Sequence, residues 1–543
     1  MKNKKLLALL LTMTMAVSPM TGCGKKEPAV QEQTPGTESA AASESEKQTE
    51  EKEEEPQKYT YEIATYSIHP VDEPSAVELY WEERLGHEFE YTYYEAGQYS
   101  ELLRLDLAAG EIPDVFTVNN RAEMQDMIDN GFAGGFSKEL LKEAAPRIYA
   151  EFEANNLFDM ATFDDGLMYT LTMQSPQNMY VSPTIWNTGW LEAVGFEGMP
   201  TTLEEFEEVL LKFVTEDPDG DGVADTYAFS NTSFDMFYGA FGVAQKLWLE
   251  QSDGTVAYDI MQEGAKDALA WFAKMYEAGA IDPEFITGEN KGGYWAISHA
   301  FAEERIGLSG MGQFYHWFTP EAIEEYNQTI MATPSVLPEI NPDLTFDFGN
   351  QPVGPDGDYG RPNNNAVGEC KIVFSKEFVE DEARFKEFLR IVEIMGGYDD
   401  PKDYMISLEG LEGDRWSYDE NGKVVKTDDE AKLAPEYLVA SGGNGLFAFN
   451  APLDVQKTAL EERYEWADKV YAGIRVNSYV SAIQDVLPSQ GEYLEELNTL
   501  FDEAKIDIIT GKKPIEYYDE VVAKAYEMGY DVLEKEANEI YGK

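Results

Sequence analysis

From residue 59 onward the apolar positions switch repeatedly between two periods. Residues 59–66 alternate and are rich in β-formers, 76–85 repeat with a helical period, 89–94 alternate again, and 99–109 return to the helical period. Leu102, Leu103, Leu105, Leu107 and Ala108 are expected on one side of that second helix. Gly110 follows as a stop residue able to take positive φ, and Pro113 ends any continuation. The apolar run 114–118 then reads as a short buried parallel strand leading to Asn119 and Asn120. Ligands of an open α/β sheet bind beyond the carboxyl ends of its strands, so both asparagines are expected to face a crevice. Strand and helix alternating at this spacing call for a parallel, doubly wound sheet.

Further along, 137–155 reads as a helix, 265–278 and 294–304 as amphipathic helices, and 377–394 as another. Thr202 before Glu205 forms a capping box, in which the hydroxyl accepts from a free helix amide and the glutamate reaches back. Strands are expected at 305–312, 332–337, 348–353 and 367–374, the last carrying Cys370 as a small buried residue. Asn421-Gly422 centres a hairpin turn. Segment 231–242 crowds Phe234, Phe237, Tyr238 and Phe241 around glycines, a pattern equally suited to a cleft wall and to core packing. The chain beyond 59 exceeds one domain, so two or more lobes are expected.

The amino end has a different character. Lys2, Lys4 and Lys5 form a basic region, and 6–17 supply an apolar stretch too short to span a membrane: an export signal, residues 1–22. Thr21-Gly22-Cys23 resembles a bacterial lipobox, although Met20 stands where such boxes usually have Leu, so cleavage before Cys23 and lipid on its sulfur are expected. Residues 23–58 are acidic and polar, without aromatics, and read as a disordered tether. Cys370 is the only other cysteine, so a lipidated Cys23 leaves no internal disulfide.

Charge narrows the partners. The net charge of −62, from 103 acids against 41 bases, argues against nucleic acid and against docking flat on an anionic membrane. It also disfavours a polyanionic ligand unless a local arginine pocket overrides the global field. Aromatic residues make up 13%, which favours a sugar binder weakly, because Tyr and Trp stack on sugar faces but also fill cores. There is no phosphate loop, no His-Glu-x-x-His pair and no Gly-x-Ser-x-Gly elbow to support nucleotide, zinc or serine chemistry.

The sharpest local motif is Asp217-Pro218-Asp219-Gly220-Asp221-Gly222-Val223-Ala224-Asp225. Asp217, Asp219 and Asp221 alternate toward one concavity, Gly222 permits the turn at position six, Val223 offers a carbonyl at seven, and Asp225 sits at nine. Hard oxygen ligands in that spacing select Ca2+, in a structural role. Ala228 occupies position twelve in place of a bidentate glutamate, so a weak site of roughly 10⁻⁴ to 10⁻³ M is expected unless another ligand completes it.

The helix end Ala108-Ala109-Gly110, followed by Glu111-Ile112-Pro113-Asp114-Val115, resembles the first-lobe signature of the family 1 extracellular solute-binding proteins that feed carbohydrate ABC transporters. The turn at 164–169, Ile185-Trp186-Asn187 with Gly189-Trp190-Leu191, the stretch 199–206, Gly410-Leu411-Glu412-Gly413 with Trp416, and the closing stretches 509–514 and 536–541 continue the match in order. The resemblance implies a Gram-positive lipoprotein with a two-lobed α/β, periplasmic-binding-protein-like fold, each lobe a mainly parallel sheet flanked by helices, joined by hinge crossings. Lobe 1 would comprise 59–172 plus 361–402, and lobe 2 173–360 plus 403–543.

It implies capture of a sugar, with no bond made or broken, and delivery to the membrane permease subunits of an ABC transporter. The protein would be a monomer on the extracellular face of the cytoplasmic membrane, held by lipid on Cys23. By position in the motifs, Asn119 and Asn120 from one lobe and Tyr238, Gln313, Tyr315 and Trp317 from the other are the implied ligand contacts, with Tyr315 and Trp317 as stacking platforms and His316 as a hydrogen-bonding neighbour. The rival reading is a surface glycoside hydrolase or lyase with a structural calcium, since a chain so rich in acids holds carboxylate pairs throughout. A third is surface capture without a transporter.

Overall fold

The strands in chain order are β1 (Thr60–Ser67), β2 (Glu88–Glu95), β3 (Val115–Thr117), β4 (Thr170–Leu171), β5 (Thr184–Asn187) and β6 (Trp248–Glu250). They continue as β7 (Val256–Tyr258), β8 (Leu308–Ser309), β9 (Phe346–Gly349), β10 (Ile372–Phe374), β11 (Trp416–Tyr418) and β12 (Val424–Lys426). The computed structural model describes residues 57–67, 74–95, 97–118, 121–172, 180–223, 225–287, 298–318, 322, 325, 341–363, 372–443, 445, 446, 451–484 and 486–542. The signal, the tether up to residue 56, Cys23, Asn119, Asn120, Cys370 and the strand expected at 332–337 lie outside them.

The first lobe is built on the sheet β2-β1-β3-β10-β4. β1 buries Tyr61, Ile63 and Ala64 and pairs in parallel with β2 over its whole length. The connecting helix Ala76–Leu85 starts on a Ser75/Glu78 capping box and stops at Gly86 with φ 77°. Helix Tyr99–Ala109 ends at Gly110 with φ 87°, as the sequence requires, and its buried face is Tyr99, Leu103 and Leu107. Leu105 is 59% exposed, because it lies on the opposite side of the helix from Leu103 and Leu107.

Other features differ from the sequence pattern, among them the helix expected over 377–394, which is two, Lys376–Glu380 and Glu382–Met395, with Asp381 capping the second. The helix expected over 137–155 is two, Lys138–Ala144 and Pro146–Ala154, because Pro146 cannot donate to the preceding turn and starts a new helix instead. Strand direction is also more mixed. β1, β2 and β3 are parallel, whereas β10 runs antiparallel to both β3 and β4. In the second lobe β5 is flanked antiparallel by β8 and β9, with parallel bridges at Tyr227/Ile306 and Phe229/Ile281.

The second-lobe core gathers Trp186, Trp190, Phe206, Phe213, Phe229 and Phe237 under helices Leu203–Thr215 and Ala265–Glu277. The Thr202/Glu205 capping box forms as expected. The closing helices Gln490–Ile509 and Tyr530–Tyr541 complete this core, with the Tyr530 hydroxyl accepting from the Tyr258 amide at 3.1 Å. Residues 403–443, assigned to lobe 2 from sequence, pack instead on the first lobe: Arg84 pairs with Asp403, and Gly442 lies against Ser75 and Val77.

Two backbone segments touch directly. Gly239 faces Gly360, and Gly354 faces Ala240, each so closely that a Cβ would overlap the opposing carbonyl oxygen. The glycines of 231–242 therefore serve core packing: Phe234, Phe237 and Tyr238 are buried while the chain returning from β9 lies on the adjoining backbone.

Candidate functional site

Segments 180–183 and 350–363 adjoin the same end of the β5/β9 pair, and β8 runs into 310–317 beside them. The 3-10 turn Phe314–His316 is fixed by the Gln313 amide, which donates to Nδ1 of His316 at 2.9 Å. Burial and the charge of Arg463 push the imidazole down to about 3, so His316 stays neutral and acts as an acceptor that shapes the turn. Nε2 of Gln313 donates to the Ser182 hydroxyl at 2.9 Å, joining two of the segments. The Tyr471 hydroxyl donates to the Val181 carbonyl at 2.5 Å, and Nη1 of Arg361 donates to the Gly310 carbonyl at 2.7 Å. Ser182, Gln313, Tyr315, Arg361, Arg463 and Tyr471 thus form one neighbourhood.

Of the six ligand contacts expected from sequence, Gln313 and Tyr315 lie here, both partly accessible. The Tyr315 ring carries the Arg463 guanidinium 4.0 Å from its centroid, so one face holds an arginine. Trp317 is fully buried: its Nε1 donates to the Met311 carbonyl at 2.8 Å, and its ring packs on Phe301 and Phe346 at 5.5 Å each. Tyr238 is 1% exposed and packs at a tilt against Phe272, ring centroids 4.7 Å apart, in the second-lobe core. Both are corrections, since their rings are enclosed by protein; a Tyr or Trp beside a glycine-rich loop reads alike in sequence whether it points into a cleft or a core. Arg361, Arg463, Ser182 and Tyr471 escaped the sequence reading, and the available signal was the scarcity of arginine in so acidic a chain.

Behind Arg463 lies Glu409, 1% exposed and 3.3 Å from Nη2 of Arg415. Burial pushes its carboxyl up to about 7 in spite of both arginines, and Oε1 has no hydrogen-bond partner. A folded-state value above the ordinary 4.5 means that this group's contribution to stability is complete below that pH and lost as pH rises through about 7. Glu409→Gln is accordingly expected to flatten the decline in urea midpoint between about pH 5 and about pH 8. An identical decline in the variant would remove Glu409 as its source.

In the acidic loop, carboxylate oxygens of Asp217, Asp219 and Asp221 all lie within 4.8 Å of one another. Gly222 takes φ 83°, and even Asp217 takes φ 48°. Internal amides hold the loop: Gly222 donates to Asp217 at 3.1 Å and Val223 to Asp221 at 2.7 Å. Burial and the charges of Asp217 and Asp221 raise the Asp219 carboxyl, the mutual repulsion that a hard cation relieves. The donor set fits Ca2+. Ala228 is buried with its amide on Ala280, so position twelve supplies no side-chain ligand.

Residues 59–366 match the family described as bacterial extracellular solute-binding protein. The chain belongs to that family. It is 23% identical over 485 residues to Lipoprotein LipO of Bacillus subtilis (strain 168), covering 85% of this chain and 87% of LipO. It is 25% identical over 298 residues to the fructooligosaccharide ABC transporter substrate-binding protein FusA of Streptococcus pneumoniae, covering 51% of this chain and 52% of FusA. Superposition on FusA in complex with kestose gives a TM-score of 0.64 at 16% identity, covering 89% of this chain and 99% of that one. The alginate-binding protein AlgQ2 without calcium ion gives 0.65 at 17% identity, covering 89% and 98%. The two-lobed α/β fold of solute-binding proteins is therefore established for this chain. Among the described residues no helix is long and apolar enough to cross a membrane.

Proposed function

We propose that this protein is a lipid-anchored extracellular solute-binding protein that takes an oligosaccharide between its lobes and hands it to an ABC permease, without catalysing a reaction. The observation that carries the reading is the convergence of Ser182, Gln313, Tyr315 and Tyr471 in one neighbourhood. Amide and hydroxyl groups beside aromatic rings are what sugar hydroxyls and sugar faces require. Asn119 and Asn120 are the contacts proposed from the first lobe. The family membership and the sugar named for FusA support the same class of ligand. Anchoring through Cys23 rests on the lipobox and on the likeness to a lipoprotein. Delivery follows from a ligand's preference for the closed state, which shifts the hinge equilibrium.

The test is thermal denaturation across mono- and oligosaccharides, with the same wells assayed for hydrolysis. Related sugars are expected to raise Tm in proportion to RT ln(1 + [L]/Kd), with no products. Products would establish the hydrolase or lyase instead.

Ca2+ is proposed as a structural ion held by Asp217, Asp219, Asp221, the Val223 carbonyl and Asp225. Millimolar Ca2+ is expected to raise Tm, EDTA to reverse the rise, and Asp221→Ala to abolish it, while Mg2+ does less because it demands a smaller octahedral cage. An equal rise in Asp221→Ala would place the ion elsewhere.

A further inference from the structure

Most arginines of this chain are matched to acids, and Arg121 donates to the Met160 and Thr162 carbonyls. Arg84, Arg104, Arg147, Arg305, Arg384, Arg390 and Arg415 each have a carboxylate within ion-pair distance. Among the described residues, Arg361, Arg463 and Arg475 do not. Arg475 is engaged by the Thr201 carbonyl at 2.9 Å and by the Tyr359 ring at 5.2 Å. The other two belong to the neighbourhood already described.

The Arg463 guanidinium lies over the Tyr315 ring, 4.0 Å from its centroid, and its Nε is buried with no acceptor. Its nearest electrostatic counterpart, Glu409, is buried, raised toward neutrality and already bound by Arg415. Arg361 spends one donor on the Gly310 carbonyl, and its charge reaches the Tyr471 hydroxyl, which also senses Tyr315. A chain with 103 acids against 41 bases has carboxylates to spare for any arginine it means to neutralise. Two guanidinium groups kept beside amides, hydroxyls and an aromatic ring, with donors uncommitted, match a ligand that brings its own carboxylate.

Resting on the oligosaccharide reading above, we infer that the ligand is an acidic oligosaccharide whose uronate carboxylate is received by Arg463 and Arg361. The planar fork of Arg463 suits bidentate capture, and Tyr315 holds that fork in place so that little side-chain freedom is lost on binding. The local pair also answers the global repulsion that a net charge of −62 exerts on an acidic sugar.

The test is isothermal titration of the protein with oligogalacturonates, oligomannuronates and oligoguluronates, each beside its carboxyl-reduced, neutral counterpart. One acidic series is expected to bind at least about tenfold more tightly than its reduced form, and Arg463→Met and Arg361→Met each to erase most of that difference. Circular dichroism melts of both variants check that they fold, and Arg475→Met serves as a control that leaves the preference intact. Neutral sugars binding as well as acidic ones, or a preference untouched in both variants, would overturn the uronate assignment and leave the oligosaccharide reading standing. Failure of every sugar, including a neutral panel, would overturn both.

Discussion

Gly239→Ala and Gly354→Ala are each expected to destabilise the protein by about 3 kcal/mol or more, one methyl group in either case. A Cβ on Gly239 would meet the Gly360 carbonyl oxygen, and one on Gly354 the Ala240 carbonyl oxygen, and neither neighbour is the yielding end of a side chain. Neither glycine has positive φ, so the cost comes from contact and not from backbone preference. Gly254→Ala separates the two effects: Gly254 takes φ 82° with nothing within 4 Å of its Cβ position, and its replacement is expected to cost only about 1 kcal/mol. Urea midpoints of the three variants decide the matter. Losses at Gly239 and Gly354 no larger than at Gly254 would show that the opposing backbone yields to the added methyl group and that the close approach carries no special cost. Because the 354–360 segment belongs to the chain running from β9 back to β10, loosening it is also expected to weaken ligand binding before the lobe itself unfolds.

The legible parts of this protein were those written locally. Gly110, the Thr202/Glu205 box and the Asn421-Gly422 hairpin each depend on residues within a few positions of one another, and each forms as expected. Pro146 was equally local, but a helical period running through it outweighed the missing amide in the sequence reading. What the pattern could not convey was which side of an aromatic-rich turn faces protein. Trp317 is enclosed by Phe301 and Phe346, residues from two other segments, whereas Tyr315 two positions earlier stays partly accessible, with Arg463 from a distant helix over one face. The neighbourhood proposed for the ligand, assembled from 180–183, 310–317, 361 and 461–471, has no signature at any one spacing. Its arginines stood out only once seven others had been matched to carboxylates.

The same distance in sequence hides the interaction whose loss is expected to matter most in the first lobe. Asp114 reads as the polar start of a strand, yet it receives Nη1 of Arg384 at 2.9 Å from 270 residues away and the Glu62 amide at 2.8 Å. Arg384 also donates through Nε to the Thr60 carbonyl at 3.1 Å and lies over Phe378 and Tyr61, so it ties the first strand, the third and the helix Glu382–Met395 together. Both side chains are largely buried, 22% and 13% exposed, and removing either leaves the other charge without its partner. Arg384→Ala is therefore expected to cost about 3 kcal/mol, toward the lower end of the range for broken buried pairs because water still reaches the guanidinium. Replacing both by apolar residues of similar size, Asp114→Leu with Arg384→Met, is expected to cost less than either single change, since no uncompensated charge remains. Denaturant unfolding of the two singles and the double tests this directly: a double variant as unstable as the sum of its parts would mean that the pair acts as packing and not as paired charge.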